Sequence, residues 1–330
     1  MKLNIVIPTY NRADNLKKTL KSILKAKLPK TLNVVVTVVD NNCNDHTKNV
    51  VEVIQHSFNE IKLEYLIEKK QGKSYALNTG INIADGDIFC CIDDDIEVTN
   101  NWFVEIEKLF RERGDKLDFV SGKMLPNWEI EPPSWIEPLK ESVLSLRDFG
   151  EDEWEHSINT PMMSGGHGII KLKVIKEIGL YDETLGPVGK NFVGCEDDIV
   201  YDKLINANKK GIYCPKLVVH HYVPRYRLSK SYYRNWCFGA GIAWDLTDKN
   251  YKQFEGKRFL GVPKYLYRDF MISFKLYLSM LLRRNETEKL ASERLIWVFI
   301  GYFYNRNLKD RKHGKIFNFI IHKVMGKVER

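Results

Sequence analysis

Asp93, Asp94 and Asp95 stand in a row at the end of the apolar run 88–92. A buried strand that opens onto three carboxylates sets hard anionic oxygens at the rim of a sheet. Such oxygens suit Mg2+ or Mn2+, and an ion held there can in turn hold a diphosphate. A solvated acidic turn after a strand is the plain alternative. A second cluster, Glu196-Asp197-Asp198, precedes a helical pattern over 199–208. The helix dipole keeps a carboxylate ionised at that end, which makes it an oriented proton acceptor. The same three residues could equally serve only to charge a first helical turn. His220 and His221 follow the apolar pair Val218-Val219, and strand geometry turns only one of them toward a given face. His167 sits in the glycine-rich stretch Ser164-Gly165-Gly166-His167-Gly168.

The elements that must carry these groups follow from periodicity. Apolar runs predict strands over 3–7, 34–39, 62–67 and 87–92. Leu16, Leu20, Ile23 and Leu24 recur at helical spacing, with Lys17, Lys18, Lys21 and Lys25 on the other face and Asn11 or Asp14 as a cap. Further helices are expected over 47–58 and 74–84. Strand and helix alternating at this spacing argue for a parallel, doubly wound sheet, whose ligands bind outside the carboxyl ends of the strands. Those ends carry Pro8-Thr9-Tyr10-Asn11, Asp40-Asn41-Asn42 and Asp93-Asp94-Asp95, so all three should face one crevice. Beyond residue 101 the pattern predicts a helix over 102–113, a short strand over 119–121, a long loop or flap over 126–155, and a last strand ending at 218–221. A dinucleotide-binding oxidoreductase would carry GxGxxG after its first strand, and Pro8-Thr9-Tyr10-Asn11-Arg12 is nothing like it.

With 330 residues there is length for one large domain or two small ones. The six cysteines form no CxxC pair and no zinc-ligand spacing, and several lie in apolar runs, which points to a reducing, cytosolic compartment. No signal peptide and no apolar stretch of spanning length is read from the sequence. The net charge of +8 is unevenly placed: residues 221–330 hold 23 Lys+Arg against 9 Asp+Glu, and 22 of the 39 aromatic residues. A basic, aromatic final third behind an acidic body suits an anionic partner.

Taken together, the motifs resemble family 2 glycosyltransferases. Ile5-Val6-Ile7-Pro8-Thr9-Tyr10-Asn11-Arg12 is similar to that family's opening, Asp40-Asn41-Asn42 to its second-strand end, and Gly72-Lys73-Ser74-Tyr75-Ala76-Leu77-Asn78-Thr79-Gly80 to the segment before its metal site. Asp93-Asp94-Asp95 resembles its DxD motif and Glu196-Asp197 its ED motif; the match covers about 3–222 in order. The resemblance implies an α/β fold of GT-A type, a doubly wound mixed sheet, with a C-terminal helical extension. It implies an inverting, Mn2+- or Mg2+-dependent hexosyltransferase with a nucleotide-sugar donor, UDP-linked. Asp95 would be the direct metal ligand, with Asp93 toward metal or ribose, Asp94 at the ribose, and His220, preferred over His221, completing the metal shell. Pro8, Thr9, Tyr10, Asn11, Asp40 and Lys73 would bind the nucleotide, Asp40 by accepting from the base. A turn cap is the alternative for Asp40. Asp197 would be the general base and Glu196 would orient it or the acceptor.

The expected division is 1–222, catalytic, and 223–330, helical and basic. The implied reaction serves cell-surface polysaccharide assembly, on a saccharide or lipid-linked saccharide hydroxyl. The alternative is a non-catalytic GT-A-like module that binds nucleotide sugar. In the tail, the apolar stretches 270–282 and 295–304, bounded by arginines such as Arg283 and Arg284, suit helices lying in a membrane interface. A helical subdomain packed on itself is the other reading. Peripheral contact at the inner face of the cell membrane is the expectation, with no nucleic-acid partner.

Overall fold

The computed structural model describes residues 1–57, 60–189, 191–251, 255–281, 286–309, 314–326 and 328. Residues 58 and 282–284, on which the readings above touch, lie outside these. Two compact units emerge: Met1–Asn127 with Ser145–Glu183 and Glu196–Tyr222, and Trp128–Leu144 with Thr184–Cys195 and Val223–Arg330. The expected division kept 128–144 and 184–195 with the first unit. Their contacts assign them to the second, where the ring of Trp135 packs on that of Tyr233.

The first unit is built on one mixed sheet. In chain order its strands are β1 (Lys2–Thr9), β2 (Asn33–Asp40), β3 (Lys62–Ile67), β4 (Ile88–Ile92), β5 (Ile96–Val98), β6 (Phe119–Trp128), β7 (Trp154–Glu155), β8 (His167–Lys171) and β9 (Gly211–Val223). Their spatial order is β3-β2-β1-β4-β8-β6-β9-β5, with β7 beside β9. The first four strands pair parallel, β8 runs antiparallel to β4 and β6, and β5 antiparallel to β9. The helices are α1 (Ala13–Lys25), α2 (Thr47–Gln55), α3 (Lys73–Ile83), α4 (Trp102–Arg113), α6 (Leu172–Ile178) and α7 (Glu196–Asn206).

Period-two alternation divides the side chains of the central strands between two cores. Leu3, Ile5, Ile7 and Cys90 pack with residues of α1, α2 and α4; Val6, Phe89 and Cys91 pack with residues of α3, α6 and α7. Runs apolar on both faces therefore read as buried parallel strands. α1 takes no cap from Asn11 or Asp14. Its first amide, that of Ala13, donates to Asp45 at 3.0 Å, while Asn11 sits in a left-handed conformation at φ 53 and accepts from the Asn44 amide. The expected loop 126–155 is partly ordered: β6 runs through Pro126, a 3-10 turn spans Ser134–Leu139, and α5 (Lys140–Val143) follows.

The second unit is helical, with α8 (Lys230–Tyr251), a hairpin of β10 (Arg258–Phe259) and β11 (Val262–Pro263), α9 (Lys264–Leu281), α10 (Glu286–Asn307) and α11 (Gly314–Met325). α8 and α10 touch backbone to backbone. A Cβ on Gly241 would stand 2.0 Å from the Val298 carbonyl oxygen, and one on Gly301 2.1 Å from that of Phe238. Residues 295–304, read as an interfacial stretch, lie inside α10, where Val298 and Tyr302 are buried. Asp245 and Asp248 on α8 are buried too, and they collect Arg306, Arg258, Lys249 and the Tyr302 hydroxyl. Tyr233, one of the aromatic residues interleaved with arginines, donates its buried hydroxyl to the Leu290 carbonyl, and Arg234 pairs with Glu293.

Candidate active site

Three segments of the first unit, the start of α3, the turn after β4 and the first turn of α7, converge past the carboxyl end of β4. Lys73, the first residue of α3, is where they meet. Its Nζ lies 3.0 Å from Asp93 Oδ1, 3.4 Å from Glu196 Oε1 and 3.8 Å from Asp197 Oδ2. The loop before α3 delivers it. Asn41, buried at the end of β2, donates from Nδ2 to the carbonyls of Glu68 and Lys70 and accepts at Oδ1 from Gly72 N–H and Gln71 Nε2. Gly72 takes φ 146 at this bend, a region that glycine alone enters readily. Burial works against the ammonium, but the charges of Asp197, Asp93 and Glu196 hold its pKa well above the ordinary lysine value.

Asp197 and Glu196 occupy the first turn of α7, which starts three residues before the predicted 199–208 pattern. Burial raises the Asp197 pKa to about 7 against the pull of Lys73. Burial raises that of Glu196 as well, with Lys73 opposing. Asp197 Oδ1 is buried with no hydrogen-bond partner among the described residues. Such an orphaned acceptor in a native site calls for a function or a ligand. Gly165 and Gly166, just before β8, line the same space. A Cβ on Gly166 would stand 2.6 Å from Asp93 Oδ2.

The three consecutive aspartates part ways. Asp93 is the accessible one, its side chain 30% exposed. Asp94 turns inward, accepting from the Thr9 hydroxyl at 2.8 Å and from Arg12 at 3.1 Å. Burial raises its pKa to about 6, with Arg12 pulling it down. Its carboxylate is turned inward onto Thr9 and Arg12. Asp95 is also buried, with Arg12 Nη1 3.1 Å from Oδ2 and His221 Nε2 3.4 Å from Oδ1. His221, on β9 opposite Ile96, is the histidine that reaches the carboxylates. His220 pairs with Glu97, on the alternate side of the strand.

Asp40 ends β2, with Oδ1 accepting from the Cys43 amide at 2.7 Å and Oδ2 from the Tyr65 hydroxyl. The turn-cap contact is therefore present, and a carboxylate keeps further lone pairs for a base. Thr9 ends β1, Tyr10 is half-buried beside it, and Asn11 holds the following turn; Pro8 pairs with Val39 inside the sheet. His167 is not exposed to a ligand. Its Nε2 accepts from Trp102 Nε1 at 2.8 Å, and burial lowers its pKa to about 3, so it stays neutral. In the sequence, Arg12, Asn41 and Gly165 stand within motifs without a role of their own, and His221 is the less favoured of the two histidines. The Gly165-Gly166 pair beside a carboxylate-rich neighbourhood was the available signal.

Among the described residues no group of three or more His, Cys, Asp or Glu side chains is arranged to hold a metal ion. Asp95 and His221 still bring a hard oxygen and an imidazole within 3.4 Å, a pair that suits Mn2+. Divalent sites of this kind commonly take one or two protein ligands and complete their shell with substrate phosphates and water. The residues present fit such a substrate-completed site and not an all-protein cage.

Comparison with known proteins gives a consistent picture. Residues 4–178 match the family model described as glycosyl transferase family 2. A glucosyl-dolichyl phosphate glucuronosyltransferase of Haloferax volcanii is 25% identical over 265 residues, 77% of this chain and 79% of that one. A GalNAc(5)-diNAcBac-PP-undecaprenol beta-1,3-glucosyltransferase of Campylobacter jejuni is 36% identical over 97 residues, 29% of this chain and 30% of that one. Among solved structures, a mannosyltransferase from Pyrobaculum calidifontis in complex with GDP-Man and Mn2+ superposes with a TM-score of 0.63 at 16% identity, covering 93% of this chain and 88% of that one. TarS 1-349 of S. aureus in complex with UDP-GlcNAc gives 0.53 at 18% identity, covering 98% and 90%. At these identities the likeness speaks for the fold.

Proposed function

The chain belongs to glycosyl transferase family 2, and from that premise we propose that it is an inverting transferase. In this reading it moves a sugar from a UDP-linked donor to a hydroxyl of a saccharide or lipid-linked saccharide, in cell-surface polysaccharide assembly. One observation carries the mechanism: the half-buried Asp197, raised to about 7, with a buried, unpartnered Oδ1 and an ammonium at its other oxygen. A group of that pKa takes a proton readily near neutrality. The acceptor hydroxyl attacks the anomeric carbon as Asp197 removes its proton. The bond from that carbon to the diphosphate oxygen breaks, and the nucleoside diphosphate leaves with the electron pair.

Lys73 keeps Asp197 and Asp93 in place and sets positive charge beside the departing diphosphate. Glu196, on the same ammonium, orients the acceptor side. Asp95 and His221 would hold Mn2+ or Mg2+, which supplies Lewis-acid stabilisation of the leaving phosphates. Asp40 accepts from the base, which fits the N3–H of uracil, with Pro8, Thr9, Tyr10 and Asn11 along the nucleoside. The relatives named for dolichyl and undecaprenol carriers support a lipid-linked acceptor. Six cysteines outside any disulfide support a reducing, cytoplasmic setting, and the basic second unit supports peripheral contact with the inner membrane face.

The deciding experiment is Asp197→Asn with two readouts. Calorimetry with UDP should show donor-side binding intact, while transfer falls by on the order of 10²-fold or more. Equal loss of both would assign Asp197 a structural role and end this reading.

A further inference from the structure

The second unit leaves several large apolar side chains on the outside, most densely on α9. On α9, Met271, Phe274, Leu278 and Leu281 are exposed, 38–51% of each. Spaced i, i+3, i+7, i+10, they fall within an arc of about 80° on a helix turning 100° per residue. The buried side of the same helix holds Leu266, Ser273 and Met280. A serine faces in and six large apolar residues face out, Ile272 and Leu276 with the four of the stripe, the reverse of a helix that ends at its own core. The β10–β11 tip, immediately before α9, adds Phe259 and Leu260, both more than half exposed. Leu260 also sits at φ 48, a left-handed conformation costly for a branched residue. An exposed leucine on strained backbone has no packing reason within this unit.

Charge says what covers this face. Lys264, Arg268 and Lys275, all exposed, run along one edge of the stripe, with the exposed Ile272 and Leu276 on their other side. The only acid of α9, Asp269, pairs with Arg268 at 2.9 Å. The surrounding residues 221–330 carry 23 Lys+Arg against 9 Asp+Glu. A second copy of the chain related by a two-fold would bring these cations face to face, which disfavours a self-interface. No helix among the described residues is long and apolar enough to cross a membrane, and α9 has 18 residues. An apolar stripe rimmed by long cationic side chains on a helix of this length is the composition of one lying in a lipid interface.

We propose that α9 and the Phe259–Leu260 tip form a membrane-docking face that lies in the surface of an anionic bilayer. This deepens the lipid-linked acceptor reading, on which its biological sense rests, but the physical claim stands on the helix alone. α11 repeats the pattern with Phe319 and Ile320 exposed beside Lys315 and Lys323.

The test uses the full chain and two kinds of vesicle, phosphatidylcholine alone and phosphatidylcholine with phosphatidylglycerol. The chain should co-sediment with the anionic vesicles, and raising salt should weaken this without abolishing it, because buried apolar surface is not screened. The combined substitution M271S/F274S/L278S/L281S should lower the affinity by more than about tenfold. Lys264→Gln with Arg268→Gln and Lys275→Gln should remove the preference for anionic vesicles. These side chains are exposed, so circular dichroism and UDP calorimetry should match the parent. Vesicle binding unchanged in the stripe variant would overturn the proposal, as would a parent chain that ignores anionic vesicles. So would a parent dimer in sedimentation that the stripe variant makes monomeric. Transfer to a soluble acceptor reports separately on the catalytic reading, so either can fail alone.

Discussion

Gly165 lies flush against Asp197: a Cβ added there would stand 1.6 Å from the carboxyl carbon and Oδ2. Real structures do not tolerate such a separation, so any side chain at 165 must push the carboxylate aside. Gly165→Ala should therefore act as a displacement of the base. Transfer should fall by on the order of 10²-fold, since misplacement by about 1 Å costs that much, while UDP affinity stays near the parent value. Single-turnover transfer and calorimetry on the same preparation check it.

Lys73 makes a prediction about pH. The base works deprotonated, so the acid limb of the rate should rise through about pH 7. Lys73→Met removes the cation that opposes the upward shift of Asp197. The carboxylate is then harder to ionise, and the limb should move to higher pH. Lys73→Arg should keep it near the parent position. The measurement is kcat/KM against pH for the three proteins, and a shift toward acid in Lys73→Met would contradict the argument.

Removing the metal or its ligands should act on nucleotide binding. UDP affinity measured with Mn2+ should drop in excess chelator. His221→Ala and Asp95→Asn should each weaken the Mn2+-dependent part by about 10- to 100-fold. His220→Ala should leave it almost unchanged. A chain that binds UDP equally with and without chelator would remove the metal from the donor site.

The second unit offers a stability test. Asp248 is buried and bonded to Arg258, Arg306 and Tyr302. Asp248→Ala leaves Arg258 without a carboxylate and Arg306 with Asp245 alone, and should cost about 3–5 kcal/mol. The folded-state pKa of Asp248 lies below the ordinary value. Its contribution is thus fully present above the unfolded pKa and lost as pH falls through the folded one. Urea unfolding of both proteins at neutral and acid pH should show the gap at neutrality and its closing in acid.

Much of the first unit was legible because its strands are apolar on both faces and separated by helical patterns of ordinary length. β1 to β4 declared themselves this way. β8 did not, since Gly165-Gly166 hides the strand start behind a loop-like composition, and β5 has three residues. The carboxylate clusters were visible as clusters. Their grouping around Lys73 was not, because it depends on α7 and α3, far apart in sequence, meeting on one face of the sheet. The choice between His220 and His221 turned on register with β5, which a single strand's sequence does not contain. In the tail, composition alone made α9 and α10 look alike. Only packing separates a helix enclosed by its neighbours from one left half bare.

The chain crosses between its two units five times: it leaves the first at Trp128 and Thr184, returns at Ser145 and Glu196, and departs finally at Val223. Residues 128–144, with buried Trp135, Ile136 and Val143, emerge from the ribosome long before α8 and α10 exist to receive them. Through most of synthesis these side chains have no permanent home. A cut at 222/223 would leave them in that condition for good, greasy and adrift on an otherwise finished sheet. Attempts to express the N-terminal part alone should thus yield material that clumps. The whole protein reaches its safe form only when the last helices arrive.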